Sequence, residues 1–230
     1  MKNSKHNCDL KSCFLCTRCL PEWLPAIETH RQTIPVKKGT VIFEEGDPVE
    51  GIYFMYSGKV KVHKKWGPDK ELIVRIAGKG AIVGHRGLGK STIYPVSATA
   101  LEPSTVCFIG LDFFESTLKV NHDFTYQLML FFAEELQESE KNMRNLAHMT
   151  VKGRVAQLLL MLEEKFGIEK NGWIDISLSR QDLASLAGTT YETIFRVITE
   201  MVQEEMIVVD NKNITISNKE ALLKLTDELA

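Results

Sequence analysis

Apolar and polar positions change period several times along the chain. From about Thr33 to Phe108 they alternate, as in "TVIFEEGD", "GIYFMYSGKVKVHKKW" and "ELIVRIAGKGAIVG". Alternation is the mark of half-buried strands, whose side chains point to opposite faces in turn. Gly39, Gly46, Gly51, Gly58, Gly67, Gly78, Gly80 and Gly84, with Pro48 and Pro68, break the runs at turn-like intervals. Many short strands so punctuated predict a sandwich, jelly roll or barrel. Ahead of them, residues 1–20 form a polar, cysteine-rich arm, and a short helix is expected around Trp23 to Thr29, between Pro21, Pro25 and the first strand.

From about Asn121 to His148 the period becomes helical. Leu128, Phe132, Leu136, Ser139, Met143 and Leu146 follow one another at steps of three and four, with Glu134, Glu138 and Lys141 off that line. Such a seam either lies on the molecule's own sheet or pairs with its copy in a homodimer. Phe131 and Phe132, side by side, could serve both. A new helix is expected from Thr150 to a stop at Gly167, with the domain boundary near Ala147–Lys152. A strand-like "WIDISLS", two short helices, a hairpin around "DNKN" and a terminal helix complete the chain.

The two short helices carry the strongest local signal. In "SLSRQDLASLAGTTYETIFRVITEMVQEEMI", Ser179 or Ser177 can cap a helix whose apolar face is Leu183, Leu186 and Ala187. Ala184 and Gly188 are small where two helices cross. Thr189 or Thr190 then caps a second helix with Ile194, Val197, Ile198 and Met201 inward. Two such helices and a following hairpin read as a winged helix-turn-helix. The second helix would turn Thr190, Tyr191, Glu192, Phe195 and Arg196 towards DNA bases, with Arg180 alongside. An arginine can grip guanine through two bonds and a glutamate can accept from cytosine, each worth about 1–3 kcal/mol of discrimination. The surface is not broadly basic. Between Ser177 and Ile216, Arg180, Arg196 and Lys212 face Asp182, Glu192, Glu200, Glu204, Glu205 and Asp210. Phosphate-driven affinity is therefore expected to be modest, with help from Lys152 and Arg154. A helical subdomain that binds protein is the alternative.

Composition narrows the rest. The chain has 230 residues, 44% hydrophobic, with a net charge of −2, enough for two domains and without a bulk charge that announces its partner. No apolar run approaches the roughly 20 residues of a membrane span, and "MKNSKHNCDLKSC" lacks an apolar signal core. A cytoplasmic location is expected, with no membrane partner. No GxSxG, HExxH or P-loop is present, and His30, His63, His85 and His148 are scattered, as surface or turn residues would be; no enzyme is expected. Four of the five cysteines, Cys8, Cys13, Cys16 and Cys19, crowd into twelve residues, and the fifth is Cys107. In a reducing compartment such a set points to metal or redox chemistry. Four thiolates suit an iron–sulfur cluster or a zinc site; a thiol–disulfide switch and unliganded cysteines in a loose arm are the other readings.

The order of glycine-punctuated β-domain, seam helix and winged helix-turn-helix resembles the Crp/Fnr superfamily of bacterial transcription regulators, from about Ile27 to Leu225. "RQDLASLAGTTYETIFR" looks like its DNA-reading motif, and "TVIFEEGDPVEGIYFMYSGKVKV" like the first half of its cyclic-nucleotide-binding-type jelly roll. The resemblance implies an α+β architecture: arm 1–20, β jelly roll 21–120, dimerisation helix 121–148, and winged helix-turn-helix 149–230. It further implies a homodimer on a palindromic double-stranded DNA site, and RNA polymerase as a partner. The cysteines resemble the Fnr branch, whose oxygen-labile 4Fe-4S cluster takes three arm cysteines and one distant one. "LEPSTVCFIG" resembles the segment of the distant ligand, so the resemblance assigns Cys13, Cys16, Cys19 and Cys107, with Cys8 as an alternate. The arm spacing, C-x4-C-x2-C-x2-C, departs from that of Fnr. Where cyclic-AMP-binding members carry Gly-Glu and Arg-Ser, this chain has Gly84-His85 and Tyr94-Pro95, so cyclic AMP is not expected. Arg86 and Lys90 leave an anionic small-molecule effector open. Ser139 stands where Fnr has a seam aspartate, and Phe195 where the Fnr-like motif has serine.

Overall fold

The computed structural model describes residues 10–67 and 70–227. The chain divides into two compact units, Met1–Glu135 and Leu136–Ala230. In the first, a 3₁₀ turn (Pro21–Trp23) and helix α1 (Leu24–His30) precede β1 (Arg31–Val36), β2 (Val41–Phe43), β3 (Gly51–Ser57), β4 (Val60–Trp66), β5 (Lys70–Ala77), β6 (Ile82–Val83), β7 (Ser97–Ala100) and β8 (Ser104–Gly110). Helix α2 (Leu111–Val120), not anticipated from the sequence, follows, and then the long α3 (His122–His148). The strands form two antiparallel four-stranded sheets, in orders β1-β8-β3-β6 and β2-β7-β4-β5.

Strand alternation gives these sheets two cores. Met55 on β3 and Val106 on β8 face inward with Phe43, Val60, Val62, Tyr94 and Ala98, filling the space between sheets. Their neighbours Ile52, Phe54, Cys107 and Ile109 face outward. Those outward residues would be wet if nothing covered them. The arm, α1, α2 and the start of α3 do so, with Leu15, Ile27, Phe114, Phe124 and Leu128 completing a second buried cluster.

The second unit holds α4 (Val151–Phe166), α5 (Arg180–Ala187), α6 (Tyr191–Gln203), the hairpin β9 (Ile207–Asp210) with β10 (Asn213–Ile216), and α7 (Lys219–Asp227). Thr150 caps α4 and Gly167 ends it. Of the two candidate caps for α5, Ser179 does the work, in a reciprocal pair with Asp182. Thr190 caps α6, its hydroxyl accepting from the Thr193 N–H. "WIDISLS" is not a strand. Its extended backbone makes one isolated bridge, Ile174 with Ile168, and Ile174 donates to the Ile214 carbonyl at 2.9 Å. Its alternation buries Ile174, Ile176 and Leu178 under the helices without a ladder partner.

Candidate functional sites: the thiol cluster and the recognition helix

Residues 13–19 fold into one tight turn. Thr17 and Cys19 donate backbone bonds to the carbonyls of Cys13 and Leu15, and the Cys16 N–H approaches the Cys13 sulfur at 3.4 Å. The two-residue spacings thus keep the three thiols together on one turn. The described part of the arm is neither polar nor loose: Cys13, Phe14, Leu15, Cys16 and Cys19 are all buried. Phe14 packs on Phe124 and Phe131 of α3, with ring centroids 5.9 and 5.2 Å apart. Its N–H donates to the Gly80 carbonyl at 3.0 Å. Gly80 is in the left-handed region, and a Cβ there would press on the Ser12 carbonyl.

Cys107 is set from the other side. It lies on the central strand β8, in register with Thr33 on β1 and Phe54 on β3, and on the outward face that the arm covers. Cys13, Cys16, Cys19 and Cys107 all lie within this one buried cluster. Burial and the nearby Cys13 push the Cys19 thiol up to about 12, so without a cation it stays protonated. Among the described residues, no three His, Cys, Asp or Glu side chains converge closely enough to hold a single metal ion. Cys8 lies outside the described residues.

The arm ends on a latch that the sequence did not reveal. The buried Asn121 side chain accepts from the Leu20 N–H at 2.9 Å and donates to the Thr117 carbonyl at 3.1 Å. Trp23 donates its indole N–H to the Thr117 hydroxyl at 3.1 Å. All three bonds fall at the junction of α2 and α3.

Around Gly84 and Tyr94, side chains fill the β-domain interior. The Tyr94 ring stacks on Phe43 at 4.1 Å, lies against Gly84 and Gly87, and donates its hydroxyl to the Gly51 carbonyl at 2.7 Å. His63, on β4, and His85, in a 3₁₀ turn (His85–Gly87), are both buried. His85 meets Phe131 and Phe132 edge-on and sits 3.8 Å from the Glu135 carboxylate. Arg86 and Arg75 reach the same carboxylate at 2.8 and 3.4 Å. Burial works against a charged Glu135, but His85, Arg75 and Arg86 overcome it and hold the carboxyl at about 2. Arg86 is thereby tied up within the protein.

In the second unit, α6 buries Ile194, Val197, Ile198 and Met201. Tyr191, Glu192, Phe195 and Arg196 are exposed, and Thr190 stands at the cap. The Glu192 carboxyl is drawn below its ordinary value by its own backbone N–H and the Thr190 hydroxyl. Arg180 is half-buried. Lys152 and Arg154 each have partners within the protein. Lys152 pairs with Glu204 at 2.6 Å. Arg154 donates to the carbonyls of Met149 and Ala187 at 2.7 and 2.8 Å, which ties the turn between α5 and α6 to α4. That turn passes through Gly188, left-handed, where a Cβ would collide with Leu146. Along α3, Leu128 is buried in its own unit, so the exposed seam starts at Phe132 and runs through Leu136, Ser139 and Met143 to Leu146.

Residues 33–121 match the cyclic nucleotide-binding domain, and residues 153–225 match the Crp-like helix-turn-helix domain. The chain belongs to the Crp/Fnr family of transcription regulators. Curated relatives span nearly the whole of both chains. The transcriptional activator Anr of Pseudomonas protegens is 29% identical over 215 residues, covering 90% of this chain and 87% of its own. The anaerobic regulatory protein of Bacillus subtilis is 29% identical over 208 residues, with 89% and 86% covered. A CRP-like cAMP-activated global regulator of Mycobacterium tuberculosis is 25% identical over 206 residues, with 89% and 92% covered. The solved structure of FixK2 from Bradyrhizobium japonicum shares the fold, at a TM-score of 0.78 and 22% identity over 87% of this chain and 99% of that one. This Crp/Fnr chain is thus a DNA-binding transcription regulator and not an enzyme. No helix among its described residues is long and apolar enough to cross a membrane.

Proposed function

We propose that this Crp/Fnr regulator works as a homodimer whose DNA binding responds to oxygen or redox state, through a 4Fe-4S cluster held by Cys13, Cys16, Cys19 and Cys107. One observation carries the reading. Three thiols on one turn of the arm and a fourth from a central strand share a single buried, apolar cluster. Thiolates are the usual ligands of such clusters. A zinc ion takes its thiolates at about 2.3 Å around one point. A multinuclear cluster takes its ligands around a volume instead. When bound, it would supply an oxidation-labile crosslink between arm and sheet.

The chain's own residues would turn that crosslink into a signal. Each ligand must lose its proton, and Cys19, whose thiol burial raises, would need the iron's positive charge to do so. Phe14 seats the arm on α3, and Asn121 fastens its end where α3 begins. An arm that loosens would therefore free the first turns of the helix carrying the exposed apolar seam. That seam, Phe132 to Leu146, is the surface we assign to the partner copy. The dimer would present two α6 helices to two half-sites of a palindrome, with RNA polymerase as the further partner. Two relatives bear on the signal: one is named an anaerobic regulatory protein, another a cAMP-activated regulator. Tyr94 and the His85–Glu135 pair speak against the nucleotide here, because they fill or bridge the places it would need.

Cys107→Ser tests the ligand set. Purified without oxygen, the variant should lose the iron and sulfide of the parent chain while keeping its far-ultraviolet circular dichroism. A full iron load in the variant would remove Cys107 from the site.

A further inference from the structure

The exposed side of α6 carries two parallel rows. Glu192, Arg196 and Glu200 make a charged row, with Arg196 and Glu200 4.0 Å apart. Tyr191, Phe195 and Thr199, also spaced four apart, make the second. Tyr191 is 48% exposed and Phe195 57%. Thr199 has its hydroxyl engaged, donating to the Phe195 carbonyl at 2.9 Å. The second row is therefore largely apolar, and it stands in water beside a charged one.

We infer that Phe195, flanked on its row by Tyr191 and Thr199, reads DNA sequence by apolar contact with the C5 methyl group of thymine. The inference rests on α6 being the helix that enters the major groove. A phenylalanine ring has no hydrogen-bond donor or acceptor to offer a base. In the major groove, thymine alone presents a methyl; guanine, adenine and cytosine edges present polar groups that a ring would leave unpaired. Phe195 thus selects for thymine by contact and against the other bases by desolvation. A protein partner fits less well, because covering Phe195 would also bury Glu192 and Arg196, whereas base edges can pair with both.

The test uses the full chain purified without oxygen, and duplexes enriched by it from a random-sequence library. Enriched duplexes are then synthesised with thymidine or with deoxyuridine, which pairs identically but lacks the methyl. The parent chain should lose affinity on deoxyuridine duplexes by about fourfold per methyl, on the order of tenfold over two half-sites. Phe195→Ser, a change at an exposed position, should bind both duplexes equally. Arg196→Ala should bind both more weakly and keep the thymidine preference. Equal affinity of the parent chain for both duplexes would overturn the inference while leaving DNA reading intact. A chain that enriches no sequence would overturn both.

Discussion

Glu135 holds together two guanidinium cations, Arg75 and Arg86, that would otherwise repel one another beside the buried His85. Its carboxyl is held at about 2, below its ordinary value of 4.5. A group depressed in the folded state contributes stability that is complete above its unfolded value and is lost as the pH falls through its folded one. The contribution should therefore fade between about pH 4.5 and 2. Glu135→Gln removes it at every pH and leaves Arg75 and Arg86 facing each other. Allowing for solvent screening at this partly exposed site, the loss should be about 1–2 kcal/mol at neutral pH and should shrink in acid. Urea unfolding at pH 7 and pH 3 checks this; an equal loss at both would show that the charge is not what matters. None of this network could be read from the sequence, because it joins residues from β5, the turn after β6 and α3. Arg86 looked free there, and His85 was legible as a turn residue but not as a buried one.

At the scale of elements, the end of the arm is fastened to the junction of α2 and α3 by the bond from the Leu20 N–H to the buried Asn121 side chain. Asn121→Ala would leave the Leu20 N–H without its partner. An unpaired buried donor costs about 1–3 kcal/mol. The effect should be local: hydrogen exchange at Leu20 and through residues 13–19 should quicken, while β4 and β5 keep their protection. Uniform loss of protection across the domain would mean that Asn121 supports the whole fold rather than the arm. Elements with strong periodicity were legible in the sequence: the strands of the jelly roll, the long helix, and the capped pair α5 and α6. Helix α2 was not, because it follows β8 directly, with Gly110 as the only break. "WIDISLS" misled because alternation reports burial, not ladder bonds. The thiols illustrate the same limit. Spacing grouped the arm cysteines, and the period of β8 implied that Cys107 faces one side of a sheet. Which side the arm covers is a tertiary fact.

For the whole molecule, the proposed dimer would close through the exposed seam of α3. Leu136 and Met143 are 60% and 65% exposed, more than a lone helix needs to show to water. Leu136→Glu should convert a dimer to a monomer in sedimentation velocity, with far-ultraviolet circular dichroism unchanged. DNA affinity should then fall by several orders of magnitude, since a monomer grips one half-site instead of two. A variant that sediments as the parent does would place the interface elsewhere. The surplus of acidic groups around α6 adds to the demand for two half-sites, because Lys152 and Arg154 are already committed within the protein.

The central claim joins the buried thiols to DNA binding, and one preparation tests it most directly. The chain is purified without oxygen, its iron, acid-labile sulfide and zinc are counted, and its affinity for an enriched duplex is measured before and after exposure to air. The account predicts about four irons and four sulfides per chain, a broad visible band that bleaches in air, and an affinity that changes as the band is lost. A colourless protein with about one zinc per chain, binding DNA equally well before and after air, would contradict it.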